Sequence, residues 1–233
     1  MCGRYAVTTT PEGLKHLFGV TNDLVNYPAR YNVAPTTRNP VVRLNPDTGA
    51  RSMDLLRWGL VPHWAKDMSA GAKAINARSE TLAEKPTFRS ALKKRRCIVP
   101  ADAFYEWKKT SPTQKQPYAI SLDDGQPMAF AGLWEGWREP ATGDWVHTYT
   151  IITTTPNALM EPIHDRMPVI LPAKSWSTWL GEQPATEPEL LALLTPYPAN
   201  GMRLWPVNGR VGKVGNDDAG LLDPIELGVG VAI

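Results

Sequence analysis

From residue 97 to residue 154 the chain reads as one strand after another, and no other stretch limits the fold so tightly. Runs at 97–100, 104–108, 118–122, 128–134 and 147–154 are short and rich in β-branched and aromatic residues. Asp123-Asp124-Gly125 supplies a tight turn between two of them. The runs continue an antiparallel pattern, and twenty-two prolines suit rigid, defined loops better than a doubly wound α/β sheet. Upstream, 40–44 and 51–60 flank a Pro46-Asp47-Thr48-Gly49 turn and read as a hairpin. Residues 74–78, 169–171 and 203–207 also read as extended, and 31–35 as an ordered extended loop. Thr10-Pro11-Glu12 starts a helix with Leu14, Leu17 and Phe18 as its apolar stripe. Further helices are expected at 79–82, 86–92, about 157–161, about 172–181 and 187–194. The fold class that follows is α+β: a mainly antiparallel, partly barrelled β-sheet with peripheral helices. No repeat and no linker divides the chain, so one domain over 1–233 is expected.

Composition removes several function classes. A hydrophobic content of 42% describes an ordinary globule, and no apolar run approaches the ~18 residues of a membrane span. The first residues lack a signal-peptide pattern, so a cytoplasmic location and no membrane partner are expected. Two cysteines cannot form a disulfide framework, and Cys97, in a strand-like run, reads as a small core hydrophobe. His16, His63, His147 and His164 are scattered without zinc-ligand spacing, so no metal and no cofactor are expected. Gly228-Val229-Gly230 has no helix after it and is no phosphate loop. The net charge of +2 demands no polyanionic partner. Locally, Lys93-Lys94-Arg95-Arg96 with Arg89 is densely basic, which suits either a ligand or a solvated helix end. Among nine tryptophans, Trp176 and Trp179 sit at helical spacing, whereas Trp58 and Trp64 lie in a Pro/Gly context. Aromatic platforms beside cations are what single-stranded nucleic acid binding requires.

The chemistry-bearing candidates begin at Cys2. If Met1 is removed, Cys2 carries an α-amine and a thiol on adjacent carbons, a pair that no internal residue offers. The amine condenses with an aldehyde to an imine, and the thiol then closes on the same carbon as a thiazolidine. Reference pKa values of about 7.7–8.0 and about 8.5 leave usable reactive fractions near neutrality. Glu106 lies between Tyr105 and Trp107 and points away from both along a strand. A carboxyl so placed is desolvated, titrates higher and serves as acid and base; the alternative is a wet face of an edge strand. His164 offers a proton shuttle or a structural hydrogen bond. Asn76 offers an oxyanion or amine partner, or a capping amide. Arg4, Arg78 and Arg166 suit phosphate oxygens, or simply the surface.

Seven stretches then fall in a telling order: Met1-Cys2-Gly3-Arg4-Tyr5, Arg30-Tyr31-Asn32-Val33-Ala34-Pro35, Trp58-Gly59-Leu60-Val61-Pro62-His63-Trp64, Asn76-Ala77-Arg78-Ser79-Glu80-Thr81, Arg96-Cys97-Ile98-Val99-Pro100-Ala101-Asp102, Phe104-Tyr105-Glu106-Trp107 and His164-Asp165-Arg166-Met167-Pro168. Together, from residue 2 to about 216, they resemble the SOS response-associated peptidase (SRAP) family of abasic-site processing proteins. The resemblance implies binding of single-stranded DNA by a monomer and capture of the abasic-site aldehyde as a thiazolidine on Cys2. It also implies associated lyase chemistry in a DNA damage response, and peptidase-like processing of Met1. It assigns Cys2, Asn76, Glu106 and His164 to catalysis, and Arg4, Asn32, Trp64, Arg78, Trp107, Thr153 and Arg166 to DNA. A cysteine peptidase acting through Cys2 and a non-catalytic single-strand binder are the competing readings. Ala103 departs from the glycine the family commonly has there, which matters if that backbone requires positive φ. The tail after Asp223 carries no part of the resemblance.

Overall fold

The computed structural model describes residues 2–23 and 25–227; Met1 and the Gly228-Val229-Gly230 stretch lie outside the described residues. Five strands form an antiparallel sheet in the order β12 (Met202–Pro206), β8 (Lys115–Leu122), β7 (Ala103–Lys109), β1 (Tyr5–Val7) and β2 (Arg30–Val33). A second sheet joins β3 (Arg38–Leu44), β4 (Arg51–Trp58), β6 (Arg96–Ala101), β9 (Met128–Arg138) and β10 (Trp145–Thr154). Because β10 pairs with both β9 and β4, these five close into a barrel. The β4–β10 contact is parallel, so the barrel is mixed rather than purely antiparallel. Beyond it, the C-terminal end of β10 takes β5 (Asn76–Arg78) in parallel on one side and β11 (Met167–Pro168) on the other.

The two sheets bury one continuous apolar cluster that includes Tyr5, Val33, Trp58, Phe104, Tyr118, Phe130 and Tyr149. A smaller cluster covers the far face of the five-stranded sheet, with Ala6, Tyr105, Ala119, Val207 and Val211. Strand alternation decides this division: Phe104 faces the gap between the sheets and Tyr105 faces away. Helices lie outside. α1 (Pro11–Phe18) begins where Thr10 accepts from the Gly13 amide, with proline in the first turn. α2 (Pro86–Lys94) is followed by α3 (Trp176–Leu180) and α4 (Glu187–Ala192). Among the described residues no helix is long and apolar enough to cross a membrane.

Several sequence expectations need correction. The 31–35 loop is in part strand β2 (Arg30–Val33), whose Tyr31 and Asn32 amides donate to Asp217 Oδ1, a partner far along the chain. The strand at Tyr5–Val7 was not anticipated; three residues carry too little pattern. The helix expected near 157–161 is a string of turns, in which Asn157 accepts from the Met160 and Glu161 amides before Pro162. Residues 79–82 and the start of 172–181 are 3₁₀ turns, Ser79–Thr81 and Ala173–Ser175. Extended 169–171 joins the sheet through the Phe130–Ile170 bridge and through the Val169 amide, which donates to the Ile152 carbonyl at 2.9 Å. Ala103 lies in β7 opposite Ala6, and Thr36 is the one non-glycine with positive φ among the described residues, so alanine at 103 is unstrained.

Candidate active site

Strand register brings the start of the chain to Glu106. Tyr5 pairs with Phe104, Ala6 pairs with Ala103, and the Tyr105 amide donates to the Arg4 carbonyl at 3.0 Å. Continuing that antiparallel count sets Gly3 across from Glu106. Cys2 is fully buried, and Glu106 is 3% exposed on the face that also carries Phe104. Burial pushes the Glu106 carboxyl up to about 7; the nearby Asp165 charge pushes it the same way. Burial first and then the Glu106 charge also push the Cys2 thiol up, against the Arg4 backbone N–H, so it stays protonated at neutral pH.

The turn before β11 supplies the imidazole. His164 Nε2 stands 3.9 Å from Glu106 Oε2. Its Nδ1 accepts from the Arg166 amide at 3.0 Å, which keeps the proton of the neutral ring on Nε2, facing Glu106. Burial lowers the His164 pKa. Asp165 Oδ1, 2.8 Å from Nδ1, is placed to partner a second ring proton. A carboxyl moved up and an imidazole moved down thus face each other near neutrality, a setting in which either can hold the proton.

Asn76 lies on β5, on the side of β10 away from β11. It pairs with Ile151, its Nδ2 donates to the Ile151 carbonyl at 3.4 Å, and its buried Oδ1 has no partner among the described residues. Beneath the site the Tyr5 and Tyr149 hydroxyls share a 2.7 Å hydrogen bond, and Asn39 Nδ2 donates to Tyr149 at 3.2 Å. Sequence reasoning missed this trio. Its members sit on three strands that only the fold unites, and no local pattern marks them.

The residues assigned to DNA by resemblance divide into two groups. Arg78 on β5 and Trp64, 59% exposed, reach the surface; Trp64 lines a cleft of about 480 Å³ with Lys66, Lys73 and Lys85. Trp107 is half-buried against the outer cluster, on the face of β7 opposite Glu106. Arg4, Asn32, Thr153 and Arg166 instead hydrogen-bond within the protein, with Arg166 Nε buried and without a partner among the described residues. Arg4 donates to Asn32 Oδ1 at 2.9 Å and to the Val211 carbonyl at 2.8 Å. Asn32 Nδ2 meets the carbonyls of Val211, Lys213 and Asn216. Arg166 forks onto Glu80 at 2.6 and 3.0 Å and donates to the Thr153 carbonyl at 2.6 Å. That fork holds the Glu80 carboxyl below its ordinary range. Among the described residues no three His, Cys, Asp or Glu side chains converge as metal ligands.

Known proteins share this architecture and sequence. A Bacillus subtilis protein named abasic site processing protein YoqW is 44% identical over 225 residues, spanning 96% of this chain and 99% of that one. The Xenopus tropicalis abasic site processing protein HMCES is 30% identical, over 93% of this chain and 76% of its own. A crystal structure of a Bacteroides thetaiotaomicron protein superposes with a TM-score of 0.87 at 26% identity, covering 97% of this chain and all of the other. The family profile described as SOS response associated peptidase (SRAP) matches residues 1–214, and the chain belongs to that family.

Proposed function

We propose that this chain captures abasic sites in single-stranded DNA covalently, through Cys2. With Met1 removed, the Cys2 amine adds to the ring-opened aldehyde carbon of the abasic deoxyribose. The carbinolamine loses water to give an imine. The thiol then adds across the C=N bond, its proton passes to nitrogen, and a thiazolidine closes; one water leaves and nothing is oxidised or reduced. Amine before thiol is the order favoured by a cysteine kept protonated by burial and by Glu106. It also weighs against a peptidase that attacks as thiolate. Glu106 takes the proton of the ammonium and returns one to the departing hydroxyl. His164 passes a proton to the sugar oxygen as the ring opens, and Asn76 orients the amine. Holding the sugar against Cys2 makes the attack intramolecular, an advantage of up to roughly 7–11 kcal/mol in well-oriented cases. The same imine permits β-elimination of the 3′ strand, so strand cleavage competes with ring closure.

Arg78, Trp64 and Trp107 are assigned to the strand. Arg4, Asn32, Thr153 and Arg166 are assigned to holding the frame. The chain acts in this reading as one domain and as a monomer. The relatives' shared name, abasic site processing protein, supports the substrate class. The observation that supports the reading is the β1–β7 register, which sets Gly3 across from Glu106 and so brings its neighbour Cys2 within range of the charge of a buried carboxyl of pKa about 7, with an imidazole 3.9 Å from it.

Mass spectrometry after incubation with an abasic single-stranded oligonucleotide tests it. A DNA adduct on the peptide that begins at Cys2 is expected, absent in Cys2→Ala and in protein that retains Met1. An adduct of equal yield in Cys2→Ala overturns the reading.

A further inference from the structure

The active site leaves unused an exposed tryptophan, a half-buried one and the basic end of α2. The fold brings these together at the far end of β10. β9 and β10 pair Gly136 with His147 and Arg138 with Trp145. A Cβ at Gly136 would lie 3.5 Å from both Trp145 Cε3 and His147 Cδ2, so the two rings rest against bare glycine backbone. Trp145 nevertheless keeps 65% of its surface open. Trp134 is backed by the Arg43 guanidinium, 4.4 Å from the ring centre, and met edge-on by His147 at 5.6 Å. Both indoles line a cavity of about 930 Å³, with His63, Ser90, Arg95 and Glu135. Glu135 does not make this hollow repel an anion, and Asp47, the other acid lining it, is exposed and screened by solvent. The Glu135 oxygens are occupied by Arg95 Nη2 at 2.8 Å and by the Gly136 amide at 3.1 Å, and Arg95 Nε is buried without a partner among the described residues.

The hollow is also connected. Ser90 lies one helical turn before the exposed Lys93 and Lys94. The same helix gives Thr87 and Phe88 to the Trp64 cleft, and adjacent residues His63 and Trp64 line one hollow each. Flat aromatic faces at both ends of a path, with cations along it, meet the two needs of a single strand: a stacking surface for bases and positive charge for phosphates.

We propose that Trp134 and Trp145 form a second, remote stacking site for single-stranded DNA, which takes bases flanking the lesion while the backbone passes over α2. The inference rests on the function proposed above. With a strand rise of about 3.3 Å per residue, Trp145 stands roughly 20 Å along β10 from Ile151, the partner of Asn76. At the 3.4 Å rise of a B-form strand that distance is about six nucleotides. Such a span falls within the ~4–16 nucleotides of single-strand-binding grooves.

The test compares the full chain with Trp145→Ala and Lys94→Glu on undamaged single strands of about 4 and about 16 nucleotides, lengths set by that footprint. The wild type is expected to gain affinity with length, and Trp145→Ala to lose about fivefold or more of that gain. Lys94→Glu is expected to flatten the salt dependence by about one phosphate contact. Equal gain with length in wild type and Trp145→Ala overturns the proposal. So does a loss as large on the short strand as on the long one. A Trp145→Ala variant that changes the protein's self-association but not its DNA affinity gives the face to a second copy of the chain, and likewise overturns it. Undamaged DNA makes the readout independent of Cys2: absence of any adduct on abasic DNA fells the earlier reading, while these affinities still decide this one.

Discussion

At Glu106 the sheet turns a carboxyl toward the apolar gap between the sheets, and its cost to the folded chain depends on pH. The folded value of about 7 stands above the ordinary 4.5, so between them the native state keeps a proton that the unfolded chain has released. Stability therefore falls as pH rises through that window. Glu106→Gln removes the effect, and denaturant melts are expected to show it gaining on the wild type by roughly 1–3 kcal/mol between pH 4.5 and 8. In the wild type, adduct formation should rise with pH around a midpoint near 7, as the base ionises, and this step should vanish in the glutamine variant. Asp165→Asn should leave the fold intact and shift the His164 limb of the same profile to lower pH, because a charge that favours the imidazolium is gone. The side to which Glu106 points was legible from the two-residue period of its strand. The Asp165 contact and the Tyr5–Tyr149 pair were not, since neither adjacency nor spacing specifies which polar atoms meet after folding.

Elements were most legible where hydrogen bonds are local. The Arg38–Leu44 and Arg51–Trp58 hairpin carries its own turn, and the proline-led α1 and α4 carry their own threonine caps. β2 does not: its amides are held by Asp217, and only the folded tail supplies that partner. Asp217→Ala should cost about 1.5–3 kcal/mol, the range for hydrogen bonds to a charged group, and speed amide exchange in residues 30–32 before the barrel is affected. The segment that carries Trp64 depends on a different device. Gly59 has φ of 113°, and a Cβ on it would sit 2.6 Å from the Gly71 carbonyl oxygen. The reciprocal Cβ on Gly71 would meet the Gly59 carbonyl at 2.5 Å. Two backbones therefore cross where no side chain fits, while Trp137 Nε1 holds the Ala65 carbonyl at 2.8 Å. Gly59→Ala is expected to destabilise by about 2–3 kcal/mol and to weaken DNA affinity by displacing the Trp64 cleft, measurable by thermal melts and titration.

Across the whole molecule the net charge is only +2, so attraction to a polyanion rests on local clusters rather than on the overall field. Reversible binding should then fall with salt by roughly 0.7 log units per contacted phosphate for each tenfold rise, whereas a preformed covalent adduct should survive the same salt. The class of the fold was readable in the order of short strands; barrel closure was not. β4 and β10 are some ninety residues apart and meet in parallel, a contact that no turn announces. The short ladder from Tyr5 to Phe104 has one more consequence. It measures out the head of the chain: with Met1 removed as proposed, Cys2 and Gly3 extend beyond the pinned Arg4 carbonyl, a leash two links long. One residue spliced between Gly3 and Arg4 pays out about 3.3 Å of slack and reverses which way the links beyond it face. Every residue of the pocket would still be present, and the hook would overshoot it.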